Sequence, residues 1–344
     1  MKIVDLRSDT VTLPTSQMLE AIASAKLGDD QYGEDETVNR LQEMAAKRMG
    51  KEDALLVISG TQANLISIMS HTKPGDAIIL EADAHIFFYE SAGMAAVAGV
   101  MAKTLKGTLG VLNPLEVLQA IRVDHKPHEP PTTLICLENT HNRAGGTCIS
   151  EEQTNKICEI AHNQGLSVHI DGARIFNAAI ALNTEVQRLV QNADSVSFCL
   201  SKGLSCPLGT LLAGNHEFIK RARKNRQMVG GAMRQAGIIA APGMVALETM
   251  ISRLREDHEN ARRLAEGLVK LGVPVPLERV QTNIVLFDVQ PLGMDSNEFI
   301  SGLERRGVKA SNYGKTLVRM VTHRGIEQFD IDHALIAVSQ FLKK

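Results

Sequence analysis

Apolar residues recur along this chain in two alternating rhythms. Unbroken apolar runs at 54–58, 77–80, 133–137, 167–170 and 195–200 have the length of strands buried on both faces. Between them, helical spacing appears at 37–49, 61–71, 114–122 and 151–164. In the first of these, Val38, Leu41, Ala45 and Met49 share one stripe, while Asn39, Arg40, Glu43 and Lys47 fall largely off it. Such alternation predicts a mostly parallel sheet covered by helices on both faces. From about Leu254 the rhythm changes. A charged helix to about Leu271 precedes the turn Gly272-Val-Pro-Val-Pro276, then a strand at 283–289, a helix at 296–305, strands near 308–312 and 316–322, and a last helix at 328–342. The pattern therefore predicts a large α/β domain over 1–253, N-terminal segment included, and a small α+β domain over 254–344. No internal repeat or low-complexity tract interrupts it.

Composition narrows the function. A chain of 344 residues that is 44% hydrophobic can bury a sizeable core. Its formal net charge of -2 offers no basic excess for nucleic acid. The five cysteines are an odd count without C-x-x-C spacing, which indicates reduced thiols rather than a disulfide framework or a zinc site. Met1-Lys-Ile-Val-Asp-Leu-Arg7 becomes charged too soon for a signal peptide, and no run of about 18 uninterrupted apolar residues occurs. These features predict a soluble cytoplasmic enzyme with neither a membrane nor a nucleic-acid partner.

The candidate chemistry centres on Lys202. Val196, Phe198 and Leu200 alternate before it, and Ser201, Gly203 and Ser205 crowd around it, a setting unlike that of a solvated surface lysine. About one strand-helix-strand unit upstream, Val168 and Ile170 lead into Asp171-Gly-Ala-Arg174. A carboxylate at the end of a strand points into the crevice where open α/β sheets bind ligands, although the same aspartate is also suited to cap the following helix. A lysine amine that condenses with an aldehyde, and an aspartate that keeps a pyridine nitrogen protonated, together suggest pyridoxal phosphate chemistry. Upstream, strand 54–58 runs into Ser59-Gly-Thr-Gln-Ala-Asn64. Gly60, Thr61 and Gln62 there open a helix whose free amides suit a dianionic phosphate, or are an ordinary helix start. His85, in Asp83-Ala-His85, follows the next strand and has access to the same crevice.

Rival motifs fail on spacing. Gly314-Lys-Thr316 lacks the glycine that a phosphate-binding loop needs five residues upstream of Gly314, Gly307 being too distant, and no G-x-G-x-x-G occurs. His125, His128 and Glu129 have a spacing that a metal can use, but Pro127, Pro130 and Pro131 make the segment a loop, and no metal is expected.

Eight blocks carry a resemblance that runs nearly end to end. They are Asp5-Leu-Arg-Ser-Asp-Thr-Val-Thr12, Gly28-Asp-Asp-Gln-Tyr-Gly-Glu-Asp35, Ser59-Gly-Thr-Gln-Ala-Asn64, Leu137-Glu-Asn-Thr-His-Asn142, His169-Ile-Asp-Gly-Ala-Arg-Ile-Phe-Asn177, Leu200-Ser-Lys-Gly203, Gly230-Gly-Ala-Met-Arg-Gln235 and Val318-Arg-Met-Val-Thr-His323. In this order they resemble the low-specificity threonine aldolases of the β-eliminating lyase group. One departure is Glu90-Ser-Ala-Gly93, where that family shows Glu, a small residue and two glycines.

The resemblance implies fold type I of the pyridoxal-phosphate-dependent transferases, with a mostly parallel seven-stranded sheet in the large domain plus the small α+β C-terminal domain. It implies retro-aldol cleavage of L-threonine or L-allo-threonine, a β-hydroxy-α-amino acid, to glycine and acetaldehyde. Lys202 then holds the cofactor, Asp171 its ring nitrogen, Arg174 its 3-oxygen, and Gly60, Thr61, Gln62 and Asn139 complete its cradle. Ser8 and Arg319, with Arg174, are implied to take the substrate carboxylate. His85 stacks on the ring, and either His85 or His128 serves the β-hydroxyl. The resemblance further implies a homo-oligomer, a dimer of dimers, in which Tyr32 and Arg234 enter the neighbouring subunit's site and Arg234 reaches the cofactor phosphate. Another reaction on the same fold (β-elimination, racemisation or transamination) and a catalytically silent cofactor-binding protein remain the alternatives.

Overall fold

The structure, a computed structural model, describes residues 3–122 and 126–343. Seven strands form the large sheet: β2 (Asp53–Val57), β3 (Ala77–Glu81), β4 (Met101–Leu105), β5 (Thr132–Glu138), β6 (Ser167–Asp171), β7 (Ser195–Cys199) and β8 (Thr210–Gly214), after a short β1 (Val4–Asp5) elsewhere. Their order is β2-β8-β7-β6-β5-β3-β4. Strand β8 runs antiparallel to both neighbours, and the remaining pairs are parallel. The continuous apolar runs arise because β2, β3, β5, β6 and β7 are buried almost throughout, leaving no solvent face to demand alternation.

Local chemistry sets where the covering helices begin and end. Asp35 caps helix Glu36–Met49 by accepting from Val38 N, and Gly50 stops it at φ 64°, a conformation that costs glycine nothing. Ser150 and Gln153 form a reciprocal capping box on helix Glu151–Asn163. The resulting core packs Leu41, Leu56, Ile135, Val168, Val196 and Phe198 together.

The second core is smaller. Strands β9 (Ile284–Asp288) and β12 (Leu317–Val321) pair antiparallel, with β11 (Ser311–Asn312) on the outer side of β12. Helices Leu254–Lys270, Ser296–Glu304 and Gln328–Leu342 cover them, burying Leu264, Phe287, Phe299, Val318 and Ile331. The single strand expected near 308–312 is divided. Its first half, β10 (Val308–Lys309), pairs in parallel with β1, and its second half is β11, so the chain changes sheets at Ala310.

The same pairing ties the start of the chain to the second core, where Val4 and Leu6 are buried and Val4 registers with Val308. Apolar side chains placed next to a ready strand edge find burial and backbone partners there together.

Candidate active site

In a parallel sheet the carboxyl ends of the strands collect on one edge. Glu138 ends β5 and Asp171 ends β6, and the two register directly with each other. Asp171 is buried. Its Oδ2 accepts from Asn64 Nδ2 at 2.8 Å and its Oδ1 from Ala173 N at 3.1 Å. The helix-capping alternative is thus met only by a local turn, since helix Ile175–Ala181 has no side-chain cap. The same Asn64 amide donates to Glu90 Oε1 at 2.8 Å, while Asn64 Oδ1 accepts from Ser197 Oγ at 3.2 Å. Behind it lies His169, kept neutral by burial that pushes its pKa down to about 4.

Glu90 Oε1 also meets His85 Nδ1 at 2.8 Å. Burial works against a charged His85, but the bond to Glu90 and the carboxylates of Asp171 and Glu138 outweigh it and raise its pKa. Glu90 is itself raised, first by burial and then by repulsion from Asp171, against the pull of His85 and Asn64. The ligand atoms of His85, Glu90 and Asp171 lie within 4.8 Å of one another, and the shared contacts through Asn64 and His85 account for that closeness. The departure at Glu90-Ser-Ala-Gly93 follows at once. Ser91 and Ala92 take φ of 53° and 57°, the left-handed region, and Ala92 stands where the pattern of the resembled family has a glycine.

Lys202 is half-buried in the loop between β7 and β8, its carbonyl accepting from Thr12 Oγ1 at 2.9 Å. Asp9, fully buried, accepts from Arg174 Nε and Nη2, each at 2.7 Å, and from Asn283 at 3.3 Å. Burial alone raises an acid's pKa, yet the positive charges of Arg174, Lys202 and Arg319 hold Asp9 well below the usual carboxylate range. Arg319 donates to Asn142 Oδ1 at 2.8 Å and to the carbonyl of Arg7 at 3.2 Å, and lies 4.8 Å from the Tyr313 ring centroid. Its buried Nε has no partner among the described residues. Burial, then repulsion from Arg174, lowers the Arg319 pKa. Beside them, Ser8 Oγ accepts from Thr10 N at 3.2 Å and Thr10 Oγ1 at 2.9 Å.

Gly60, Thr61 and Gln62 open helix Gly60–His71. Ser59 takes the Gln62 amide with its hydroxyl and the Ala63 amide with its carbonyl, so the first two amides of the helix lie beyond the cap. The Gln62 side chain already accepts from Ile58 N at 3.1 Å.

Four expected site residues lie apart from this group. His128 is exposed in the loop entering β5 at its amino end, so the length of β5 separates it from the carboxyl edge; His125 falls outside the described residues. Asn139 is buried with both ends of its amide bound to the Ile149 backbone, at 2.9 and 3.1 Å. Tyr32 is 75% exposed, and Arg234 pairs with Asp29 at 3.1 Å in the open. In exchange the structure brings in Asp9, Asn64, Glu90, Glu138 and Asn142, all but Glu90 inside the motif blocks yet without an assigned task.

Fold and site together define an open α/β enzyme built around an amine, a buried carboxylate and two guanidinium groups. Residues 5–291 match the family model described as beta-eliminating lyase. The chain is 43% identical over 345 residues to low-specificity L-threonine aldolase 1 of Arabidopsis thaliana, covering 99% of this chain and 96% of that one. It is 41% identical over 327 residues to the low specificity L-threonine aldolase of Escherichia coli O157:H7, covering 95% of each. The solved threonine aldolase of Leishmania major superposes with a TM-score of 0.85 at 18% identity, covering 98% of this chain and 99% of that one. The chain belongs to the β-eliminating lyase family, among the low-specificity threonine aldolases.

Proposed function

We propose that this protein is a pyridoxal-phosphate-dependent aldehyde-lyase that cleaves the Cα–Cβ bond of L-threonine and L-allo-threonine, giving glycine and acetaldehyde. The observation that carries it is the joint placement of Lys202, the buried Asp171 network and the Arg174–Arg319 pair at one sheet edge. The cofactor suits these residues. The amides of Gly60 and Thr61 offer an anion site, Asp171 a carboxylate for a ring nitrogen, and Lys202 an amine for an aldehyde. When bound, the cofactor supplies a protonated ring that accepts the electron pair left on Cα as the bond breaks.

The chain's own residues do the rest. Asp171 keeps the proton on the ring nitrogen, since a buried carboxylate beside a cation favours the charged pair. Arg319, with an unpartnered Nε, receives the substrate carboxylate, and Ser8 borders the same place. Arg174 commits Nε and Nη2 to Asp9, which aims the guanidinium and leaves Nη1 for the cofactor's 3-oxygen. His85 would stack on the ring and take the β-hydroxyl proton through Nε2, with Nδ1 held by Glu90. Weak discrimination between the two isomers follows, because exchanging a methyl and a hydrogen at Cβ changes one small apolar contact, worth about 1–3 kcal/mol.

Assembly and location belong to the same proposal. Tyr32 and Arg234 share an exposed ledge, with Asp30 N bonded to the Arg234 carbonyl at 2.9 Å, a placement suited to a second subunit's site in a dimer of dimers. Five unpaired thiols suit the cytoplasm. No single helix among the described residues is long and apolar enough to cross a membrane.

Incubation with L-threonine and L-allo-threonine, with acetaldehyde followed through a coupled reductase, is the test. Equimolar glycine and acetaldehyde are expected. Ammonia with a keto acid, or a bound cofactor without turnover, would overturn the assignment.

A further inference from the structure

We infer that Glu138 is a positioning residue that fixes the cofactor-facing and substrate-facing halves of the site to one another, an inference resting on the roles given above to His85 and Arg319. Glu138 is buried at the end of β5, and its two carboxylate oxygens do different jobs. Oε2 accepts from the backbone N–H of His85 at 2.6 Å, and Oε1 accepts from the backbone N–H of Asn142 at 2.8 Å. Each of those residues holds one half of the site. The His85 ring is bonded to Glu90, and through Asn64 to Asp171. The Asn142 side chain accepts from Arg319 at 2.8 Å and donates to the Tyr313 hydroxyl at 2.7 Å. One carboxylate thus sets the spacing between the ring-stacking loop and the guanidinium.

The neighbouring strand shows what an ordinary clamp of this kind does. Glu81, at the end of β3, accepts from Asp83 N at 2.5 Å and Gly107 N at 3.0 Å, and from His141 Nε2 at 3.1 Å. The Ala144 N–H donates to His141 Nδ1 at 3.2 Å, which keeps a lone pair there and leaves the ring proton on Nε2, toward Glu81. His141 Nε2 lies 4.0 Å from Glu138, beyond hydrogen-bond reach, so the grip of Glu138 on its two amides does not depend on that ring. Among the described residues, the β5 glutamate alone holds both His85 and Asn142.

A carboxylate accepts both N–H groups at once, whereas the amide of glutamine offers one acceptor and turns its own N–H₂ toward the other donor. Glu138→Gln therefore tests the inference, with two equilibrium measurements on the folded protein. Cofactor affinity is read from visible absorbance during titration of apo-protein, and glycine affinity from the spectral change of the cofactor-loaded protein. Both are expected to weaken, each by about tenfold or more, the scale of a lost charge-assisted hydrogen bond. Asn142→Ala cuts only the Arg319 arm, so it should weaken glycine and spare the cofactor. If Glu138→Gln moves only one affinity, or neither while lowering thermal stability, Glu138 is a structural clamp and the inference is overturned. The same holds if Asn142→Ala weakens cofactor binding as much as Glu138→Gln. Should Glu138→Gln fail to fold, Glu138→Asp keeps the charge, shortens the reach and faces the same measurements. Neither needs turnover, so absence of acetaldehyde from the unaltered enzyme would overturn the aldolase assignment while leaving Glu138 testable.

Discussion

The Asp171 network and the Arg234 ledge make opposite use of charged side chains. Around Asp171, the polar contacts are internal and mostly buried. Asn64 spends both amide hydrogens on Glu90 and Asp171 at 2.8 Å, and Glu90 holds His85 at 2.8 Å. On the ledge the scaffold is just as firm, since Asp30 is buried against Arg226 at 2.7 Å, but the side chains it presents stay open. Arg234 has 59% of its side chain exposed. The contrast separates chemistry that one chain can organise alone from side chains that, under the proposed assembly, it offers to a neighbour. Preorganised groups in a low-dielectric interior keep their geometry without help, while exposed ones gain it from a partner.

Mixing two variants strikes hardest at this division. Lys202→Ala should lose nearly all turnover and the borohydride-sensitive absorption. Arg234→Ala should lose phosphate affinity in every homo-oligomer. Refolded together at equal amounts, half the dimers are mixed and each mixed dimer has one intact site of two, so up to about a quarter of native activity should return. Activity equal to the average of the separate variants, under demonstrated subunit exchange, would return Arg234 to its own chain.

A milder test bears on the buried side. Because the folded pKa of His85 is raised, its contribution to stability is fully present below about 6.5 and is lost as pH climbs through the folded value. Glu90 is raised too, so its contribution has the same sign at lower pH. Glu90→Gln removes the Glu90 contribution and the hydrogen-bonded carboxylate that supports a charged His85, and denaturant unfolding of the apo-protein from about pH 5 to 8 should show a flatter dependence than the unaltered protein. Parallel curves would mean that the pair is not a coupled unit. The smallest effect belongs to Ala92→Gly, which relieves a left-handed alanine beside this network and should change stability in the favourable direction by about 0.5–1 kcal/mol, seen as a small rise in Tm.

Five of the seven large-sheet strands and most element bounds are legible in the sequence because burial on both faces leaves unbroken apolar runs. Where that condition fails, the signal fades. Met101 and Thr104 on edge strand β4 are exposed, and Thr210–Gly214 in β8 is buried but mixes apolar residues with Ala and Gly. The motif blocks also marked where the site would be. They did not show that Asn64 joins two acids, that Asp9 takes up the Arg174 fork, or that Asn139 is turned toward Ile149, because those facts depend on which strand ends become neighbours. His128, whose role rests on the resemblance alone, lies in the loop entering β5 at its amino end, a direction that resemblance does not convey.

The pairing of β1 with β10 also fixes an order of events during synthesis. Val4 and Leu6 leave the ribosome about 300 residues before their partners at Gly307, Val308 and Lys309. Large-sheet strands that meet near neighbours can form while translation continues, whereas the chain's opening segment must wait. Asp9 follows β1 by four positions and accepts from Asn283 as well as Arg174, so its set of partners closes only after residue 283 is made. A ribosome-stalled chain ending before residue 300 would carry Lys202, Asp171 and both partners of the Asp9–Arg174 pair but lack Arg319 and the strand that β1 pairs with, so the site is finished only once the second core is made.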